Sequence, residues 1–313
     1  MTIFDFHKRF PTEKSAIDFI IKVKYNGTYV CPFCGCVHNI YRDNTNNGKD
    51  LYCNNCKSHF SVLKGTIFEN THLDIRMWLY AMNLVMVAKK GISACQLQRE
   101  LGMKSYKGAW RMLHLIREIM GKEEYKDCFE AIVEVDETYV GGKPRKENVH
   151  FERESNEKFN KRGRGSSSKT PVIGVKERSS GRVHCVVATA NADGQKLTGK
   201  QLLKVLDNVC KAGTTVMTDQ YSGYNVIDEG RVENTKNFIR IMVNHEVEFS
   251  KGDGKHTNGI ESFWAIVKRG VYGIYHHVSV KHMQTYMDEF CFRMNHRKVE
   301  DGFTNLVKLS VAA

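Results

Sequence analysis

The chain has 313 residues, 41% of them hydrophobic, which is enough to bury a sizeable core in one to three domains. Lys and Arg number 47 against 35 Asp and Glu, and the formal charge of +12 favours a polyanionic partner, of which nucleic acid is the commonest. Neither secretion nor membrane insertion is expected: Met1 to Phe10 carries Asp5, Lys8 and Arg9 where a signal core would be apolar, and the most apolar run, Met77 to Ala88, is too short to span a bilayer.

Residues 1–65 are polar and contain two cysteine knuckles. Cys31-Pro-Phe-Cys34 is followed by 18 residues and then Cys53-Asn-Asn-Cys56. Four thiolates in two CxxC pairs suit one tetrahedral zinc ion, whereas a redox CxxC needs a single pair. The intervening segment is long enough for a β-hairpin, so a zinc-ribbon domain is expected, with Tyr29, Tyr41, Tyr52 and Phe60 as its small core. Four protein sulfurs leave no open position, which makes this zinc structural. Cys36, His38 and His59 lie nearby and are read as surface or supporting residues. Cys95, Cys128, Cys185, Cys210 and Cys291 are read as ordinary buried residues.

Residues 66–125 have helical periodicity. Trp78, Met82, Val85 and Ala88 mark one apolar face. Ser93 is placed to cap a short helix from Ala94 to Leu101, Gly102-Met103 breaks it, and Ser105 is placed to cap a longer helix through Met120. Ala109, Leu113, Ile116 and Met120 form its buried stripe. A short helix, a glycine turn and a second helix make a helix-turn-helix pattern, with Lys104, Lys107 and Arg111 at the end that enters the major groove and Lys89 and Lys90 within reach of phosphates. The plain alternative is a helical linker bundle with a solvated basic face.

Residues 126–300 alternate strand and helix patterns. Ile132 to Gly142 reads as a strand, with Asp136 on the same face as Ile132 and Glu134, and Glu137 on the other. Residues 143–170 interrupt the pattern with nine Lys or Arg against four Glu and a Ser166-Ser167-Ser168 run, as a basic flexible insertion does. Strands are expected at Pro171–Lys176 and Arg182–Ala188, joined by a turn at Ser179-Ser-Gly181. A helix carries Leu202, Val205, Leu206 and Val209, and further strands fit Thr215–Thr218, which ends at Asp219, and Phe238–Val243. One helix opens near His256-Thr-Asn258-Gly-Ile-Glu261 and runs to Lys268-Arg269. Another covers Val280 to Asn295, and residues 301–313 are left as a C-terminal tail.

This is the order of an RNase H-like (retroviral integrase-like) fold: α/β, with a mixed five-stranded sheet and helices, here behind a zinc ribbon and a helix-turn-helix region. Carboxylates fall on the first strand, after the fourth, and on a late helix. Two-metal phosphoryl transfer uses carboxylates from separate elements that converge on two Mg²⁺ or Mn²⁺ ions. Glu134 and Glu137 compete with Asp136 for the first position.

The stretches Val135-Asp-Glu-Thr-Tyr-Val-Gly-Gly142, Thr218-Asp219, His256-Thr-Asn-Gly-Ile-Glu-Ser-Phe-Trp264, Gly273-Ile-Tyr-His-His-Val-Ser279 and Phe292-Arg-Met-Asn-His-Arg297 together resemble the ISXO2-like branch of the IS1595 family of insertion-sequence transposases. The knuckles resemble that family's zinc ribbon. The resemblance implies a DDE-type active site with Asp136 and Asp219 as its first two acids and Glu261 or Asn258 as the third position. A carboxylate is the better Mg²⁺ ligand, and Glu261 and Asn258 share a helix face. Lys268, two turns on, matches a basic residue that holds a phosphate of the transposon end, with Arg269 beside it.

The expected protein binds terminal inverted repeats and target DNA, acts as a dimer or higher oligomer on paired ends, and works in the cytoplasm at the nucleoid, or in the nucleus of a eukaryotic host. The rival readings are a DNA-binding regulator without chemistry and an RNase H-like nuclease that cuts without joining. The closed four-sulfur site disfavours an unrelated zinc enzyme.

Overall fold

The computed structural model describes residues 1–43, 45–141, 169–188, 197–228, 230–243, 256–299 and 301–312. The expected basic insertion therefore lies outside the described residues as far as residue 168, and Thr170 already opens a strand. The chain forms two compact units, one of residues 1–123 and 296–313 and one of residues 124–295. Among the described residues, no helix is long and apolar enough to cross a membrane.

The first unit begins with two helices where the sequence pattern suggested only a polar ribbon. Helix α1 (Ile3–Arg9) and helix α2 (Glu13–Tyr25) each start at a threonine in a capping box, Thr2 with Asp5 and Thr12 with Ser15, which satisfies N–H groups that a helix start leaves unpaired. Ala16, Ile17, Ile20 and Ile21 then give α2 one buried stripe. The ribbon follows as strands β1 (Ile40–Arg42), β2 (Asp50–Cys53) and β3 (Ser58–Ser61), antiparallel in that order. Its core is the cross-strand pair Leu51 and Phe60, both buried. Tyr41, expected inside, is 57% exposed because it points from the opposite face of the short β1.

Helix α3 (Ile75–Val87) is capped by Asp74 and buries Trp78, Met82 and Val85. Helix α4 (Ala94–Glu100) starts where Ser93 accepts the Gln96 N–H at 3.1 Å. Gly102, at φ +61°, supports the turn into helix α5 (Tyr106–Met120). Ser105 holds the N-cap position of α5 without the side-chain hydrogen bond expected of it. The stripe Ala109, Leu113, Ile116 and Met120 is buried.

The segment expected to be a C-terminal tail is helical from Gly302 to Val311. Asp301 caps helix α9 (Gly302–Val311), whose Phe303, Leu306 and Val307 are buried in the first unit. The Phe303 ring stacks on Phe19, and the Ile67 N–H donates to the Ser310 carbonyl. An apolar repeat this short, close to a chain end, offers little local signal.

The second unit is built on a five-stranded sheet: β4 (Ile132–Val140), β5 (Thr170–Glu177), β6 (Val183–Val187), β7 (Thr215–Thr218) and β8 (Ile239–Met242), in the order β6-β5-β4-β7-β8. The first three strands are antiparallel, and β7 and β8 run parallel to β4 and to each other. That order and those directions are RNase H-like. Strand alternation splits the apolar residues between two faces. Val133, Val135, Ile173 and Val175 meet helix α6 (Gly199–Val209) on one side. Val140, Val172 and Cys185 meet helices α7 (Asn258–Gly270) and α8 (Met283–Asn295) on the other.

Candidate active site and four-cysteine centre

Strands β4 and β7 are paired in parallel with Glu134 opposite Met217. Two residues further along each strand lie Asp136, half-buried, and Asp219, 9% exposed. Both acids thus lie just beyond the end of the stretch over which these neighbouring strands are paired. Parallel strands of an α/β sheet commonly present ligand sites at this end. The third carboxylate comes from Glu261 in the first turn of α7, where the Thr257 hydroxyl donates to its Oε1 at 2.9 Å.

These carboxylates feel one another. Burial pushes the Asp136 carboxyl up to about 7, and the negative charges of Glu137, Asp219 and Glu261 push the same way. A cation would relieve that crowding, and an all-oxygen donor set suits Mg²⁺ or Mn²⁺.

The competing glutamates of β4 have other work. Glu137 faces the α6 side, where the Tyr224 hydroxyl donates to its Oε2 at 2.9 Å. Glu134 is 1% exposed and accepts from Arg178 Nε at 2.8 Å and from the Ile260 N–H at 2.9 Å. Behind Asp219, the guanidinium of Arg240 on β8 donates to Thr218 Oγ1 at 3.0 Å, to Asp228 Oδ1 at 2.9 Å and to the Asp219 carbonyl at 3.3 Å. The Asp219 carboxylate itself accepts the Tyr221 N–H at 2.9 Å, which fixes the turn after β7. None of these long-range partners was read from the sequence; only the strand period of Glu134, on the same face as Asp136, hinted at one of them.

Asn258 is exposed as the first residue of α7, and its carbonyl accepts the Ser262 hydroxyl at 2.7 Å. Lys268 and Arg269 are exposed in the last turn of the same helix. Lys268 is seven residues from Glu261, about 10 Å of helix rise, so it stands beside the acid cluster and not within it. In the first unit, Lys89, Lys90, Lys104, Lys107 and Arg111 are all exposed, and Tyr106 and Trp110 are exposed on α5 among the last of these.

The four knuckle cysteines converge. Cys31 Sγ and Cys56 Sγ are 3.6 Å apart, and Cys34 Sγ and Cys53 Sγ 3.7 Å. Sulfurs at 2.3 Å from a tetrahedral zinc are about 3.8 Å from each other, so the set fits that ion. Cys36 stays outside, its thiol donating to the His38 carbonyl at 2.8 Å, and the His59 ring packs on Tyr52.

Fold and site together define a chain with an RNase H-like sheet and convergent acids behind a four-cysteine ribbon. Residues 129–295 match the model of the ISXO2-like transposase domain, and the chain belongs to that family. It is 26% identical over 264 residues to an uncharacterized protein in the transposable element ISH50 of Halobacterium salinarum, covering 84% of each chain. A search of solved structures returns the intasome of a simian T-cell lymphotropic virus in complex with PP2A regulatory subunit B56 gamma, at a TM-score of 0.30 and 8% identity, covering 66% of each chain.

Proposed function

We propose that this protein is the transposase of an insertion sequence, binding the element's terminal inverted repeats, cutting at its ends and joining them to target DNA. The observation that carries the reading is the placement of Asp136 and Asp219 two residues beyond the registered pair Glu134 and Met217 of neighbouring strands, with Glu261 on a third element near enough to raise the Asp136 carboxyl, in a chain of this family. Asp136 and Asp219 would hold the divalent cations, and Glu261 would supply the third carboxylate in preference to Asn258. Bound Mg²⁺ or Mn²⁺ supplies charge neutralisation and an activated oxygen for in-line displacement at phosphorus. In the first step water attacks the phosphodiester at the transposon end and the 3′ oxygen leaves as a hydroxyl. In the second that hydroxyl attacks a target phosphodiester, one such bond replaces another, and no ATP is required.

The chain's remaining parts bind and orient DNA. Zinc on Cys31, Cys34, Cys53 and Cys56 holds the ribbon. Helices α4 and α5 act as a helix-turn-helix, with Lys104, Lys107 and Arg111 at the groove and Lys89 and Lys90 on phosphates. Lys268 and Arg269 hold the backbone of the transposon end next to the acids. Two ends must meet, so the working form is at least a dimer, acting wherever its DNA resides.

The test is a joining assay with Mg²⁺ or Mn²⁺, labelled ends of the protein's own element and a supercoiled plasmid. Joining by wild type, and its loss in Asp136→Ala, Asp219→Ala and Glu261→Ala but not Asn258→Ala, is the expected result. Cleavage without joining would indicate a nuclease, and sequence-specific binding without metal-dependent chemistry would indicate a regulator.

A further inference from the structure

We infer that Glu134, with Arg178, Lys176 and Gly259, is a latch that fixes the first turn of α7 to the acid-bearing strand, and so positions Glu261 relative to Asp136. The inference rests on the proposed acid site.

A helix start leaves N–H groups that need acceptors, and the residue before the helix normally supplies one from its side chain. Thr257, at that position before α7, makes no such bond, and its hydroxyl goes to Glu261 instead. The missing acceptor comes from another element. Glu134 Oε2 takes the Ile260 N–H at 2.9 Å, across 126 residues of sequence. A carboxylate at the N-terminal end of a helix is also favoured by the helix dipole.

The rest of the cluster holds Glu134 to that task. Its other oxygen pairs with Arg178 Nε at 2.8 Å, and the same guanidinium donates to the carbonyl of His256, just ahead of α7. Lys176, two residues before Arg178 on β5, donates to the Gly259 carbonyl at 2.9 Å. A carboxylate this deeply buried is costly unless its oxygens find such partners.

Gly259 is the steric counterpart. A Cβ there would lie 2.6 Å from Glu134 Oε2 and 2.8 Å from Lys176 Nζ, so a side chain would push the latch apart. One strand over, Gly174 lies directly opposite Asp136, and a Cβ on it would meet the Trp264 ring of α7 at 2.5 Å. The helix is pressed against β4 and β5 at two points that bracket Glu261 in sequence. Glu134 touches none of the reacting atoms, and its role is positioning.

The experiment compares the full-length protein with Glu134→Gln, Gly259→Ala and, as controls, Asp136→Asn and Glu261→Gln. Mn²⁺ binding is followed by the electron paramagnetic resonance signal of free Mn²⁺, end cleavage is titrated with Mn²⁺, and hydrogen exchange is read on the peptide spanning α7's first turn. Partners behind metal ligands typically change metal affinity by about 10- to 100-fold. Glu134→Gln and Gly259→Ala are therefore expected to weaken Mn²⁺ binding by about tenfold or more, to speed exchange at the first turn of α7, and to recover cleavage at high Mn²⁺. Asp136→Asn is expected not to recover. A purely structural Glu134 would lower thermal stability and leave the Mn²⁺ affinity of the folded protein unchanged, and that result would overturn the latch, as would unaltered exchange. If wild type itself binds no Mn²⁺ and cuts nothing, the acid-site reading fails and the positioning role goes with it. That outcome is distinct from a variant that matches an active wild type.

Discussion

Asp136 and Asp219 lie on neighbouring parallel strands, each two residues beyond the registered pair Glu134 and Met217. Their proximity has a cost in the metal-free protein. The folded Asp136 carboxyl keeps its proton up to about pH 7, against an ordinary value of 3.8, chiefly because it is buried and then because of Glu137, Asp219 and Glu261. Between those values the folded state binds the extra proton, so the stability from this group is full below about 3.8 and is lost as pH rises towards 7. Asp136→Asn should therefore melt higher than wild type at pH 8 in chelator, by on the order of 2 kcal/mol once partial solvent exposure is discounted. The gap should close near pH 4. A variant that melts lower at pH 8 would contradict this electrostatic picture. Added Mn²⁺ should raise the wild-type melting temperature at pH 8 and leave that of Asp136→Asn little changed.

Metal content tests the ribbon. One zinc per chain is expected by elemental analysis, with Cys31→Ser or Cys53→Ser losing it and Cys36→Ser retaining it, since the Cys36 thiol is engaged with the His38 carbonyl. Full zinc loss in Cys36→Ser would mean that the ligand set is wrongly drawn.

Arg240 is the support of the second acid. Its side chain is 6% exposed and ties Thr218, Asp219 and Asp228 together. Replacing it with Met leaves those acceptors without their donor, at a cost of about 2–4 kcal/mol. Thermal melts should register that loss, and Mn²⁺ affinity should fall with it. A melt within a degree of wild type would mean that the Asp219 turn holds its shape unaided.

Helix α5 offers a different readout. Lys107 and Arg111 are exposed one turn apart, so each phosphate contact they make releases counterions. Lys107→Ala should lower the slope of log affinity against log salt by about 0.9 if Lys107 contacts a phosphate. Arg111→Ala should relax discrimination at one base pair if Arg111 reads a base edge, at about 1–3 kcal/mol. Binding curves for specific and scrambled ends at three salt concentrations separate the two roles, and identical curves for wild type and both variants would remove this helix from the DNA interface.

Much of the second unit was legible because its signals are local. Strand alternation over Ile132–Val140 and the apolar spacing in α6 follow directly from burial on one face; that alternation places Asp136 within its strand, and Asp219 follows directly on β7. The knuckles were legible because thiol spacing is itself the chemistry. What escaped was non-local or faint. The acceptor for the start of α7 is Glu134, whose oddity is visible only when burial is known. Gly174 and Gly259 look like ordinary glycines until Trp264 and Glu134 are set against them. Helices α1 and α2 carry local signals at their starts, Thr2 with Asp5 and Thr12 with Ser15, within a segment whose composition is otherwise polar. For α9 the partners Phe10 and Phe19 lie almost a whole chain length away.

That last arrangement bears on how such a gene decays. Glu123 and His296, where the chain leaves and re-enters the first unit, meet at 3.2 Å, so the second unit is an insertion within the folding unit that surrounds it in sequence. A stop codon shortly before Asp301 would spare every acid and every knuckle cysteine, yet the product would lack the helix that covers Phe10 and Phe19. The first unit, residues 1–123 included, would be the part left unable to finish folding.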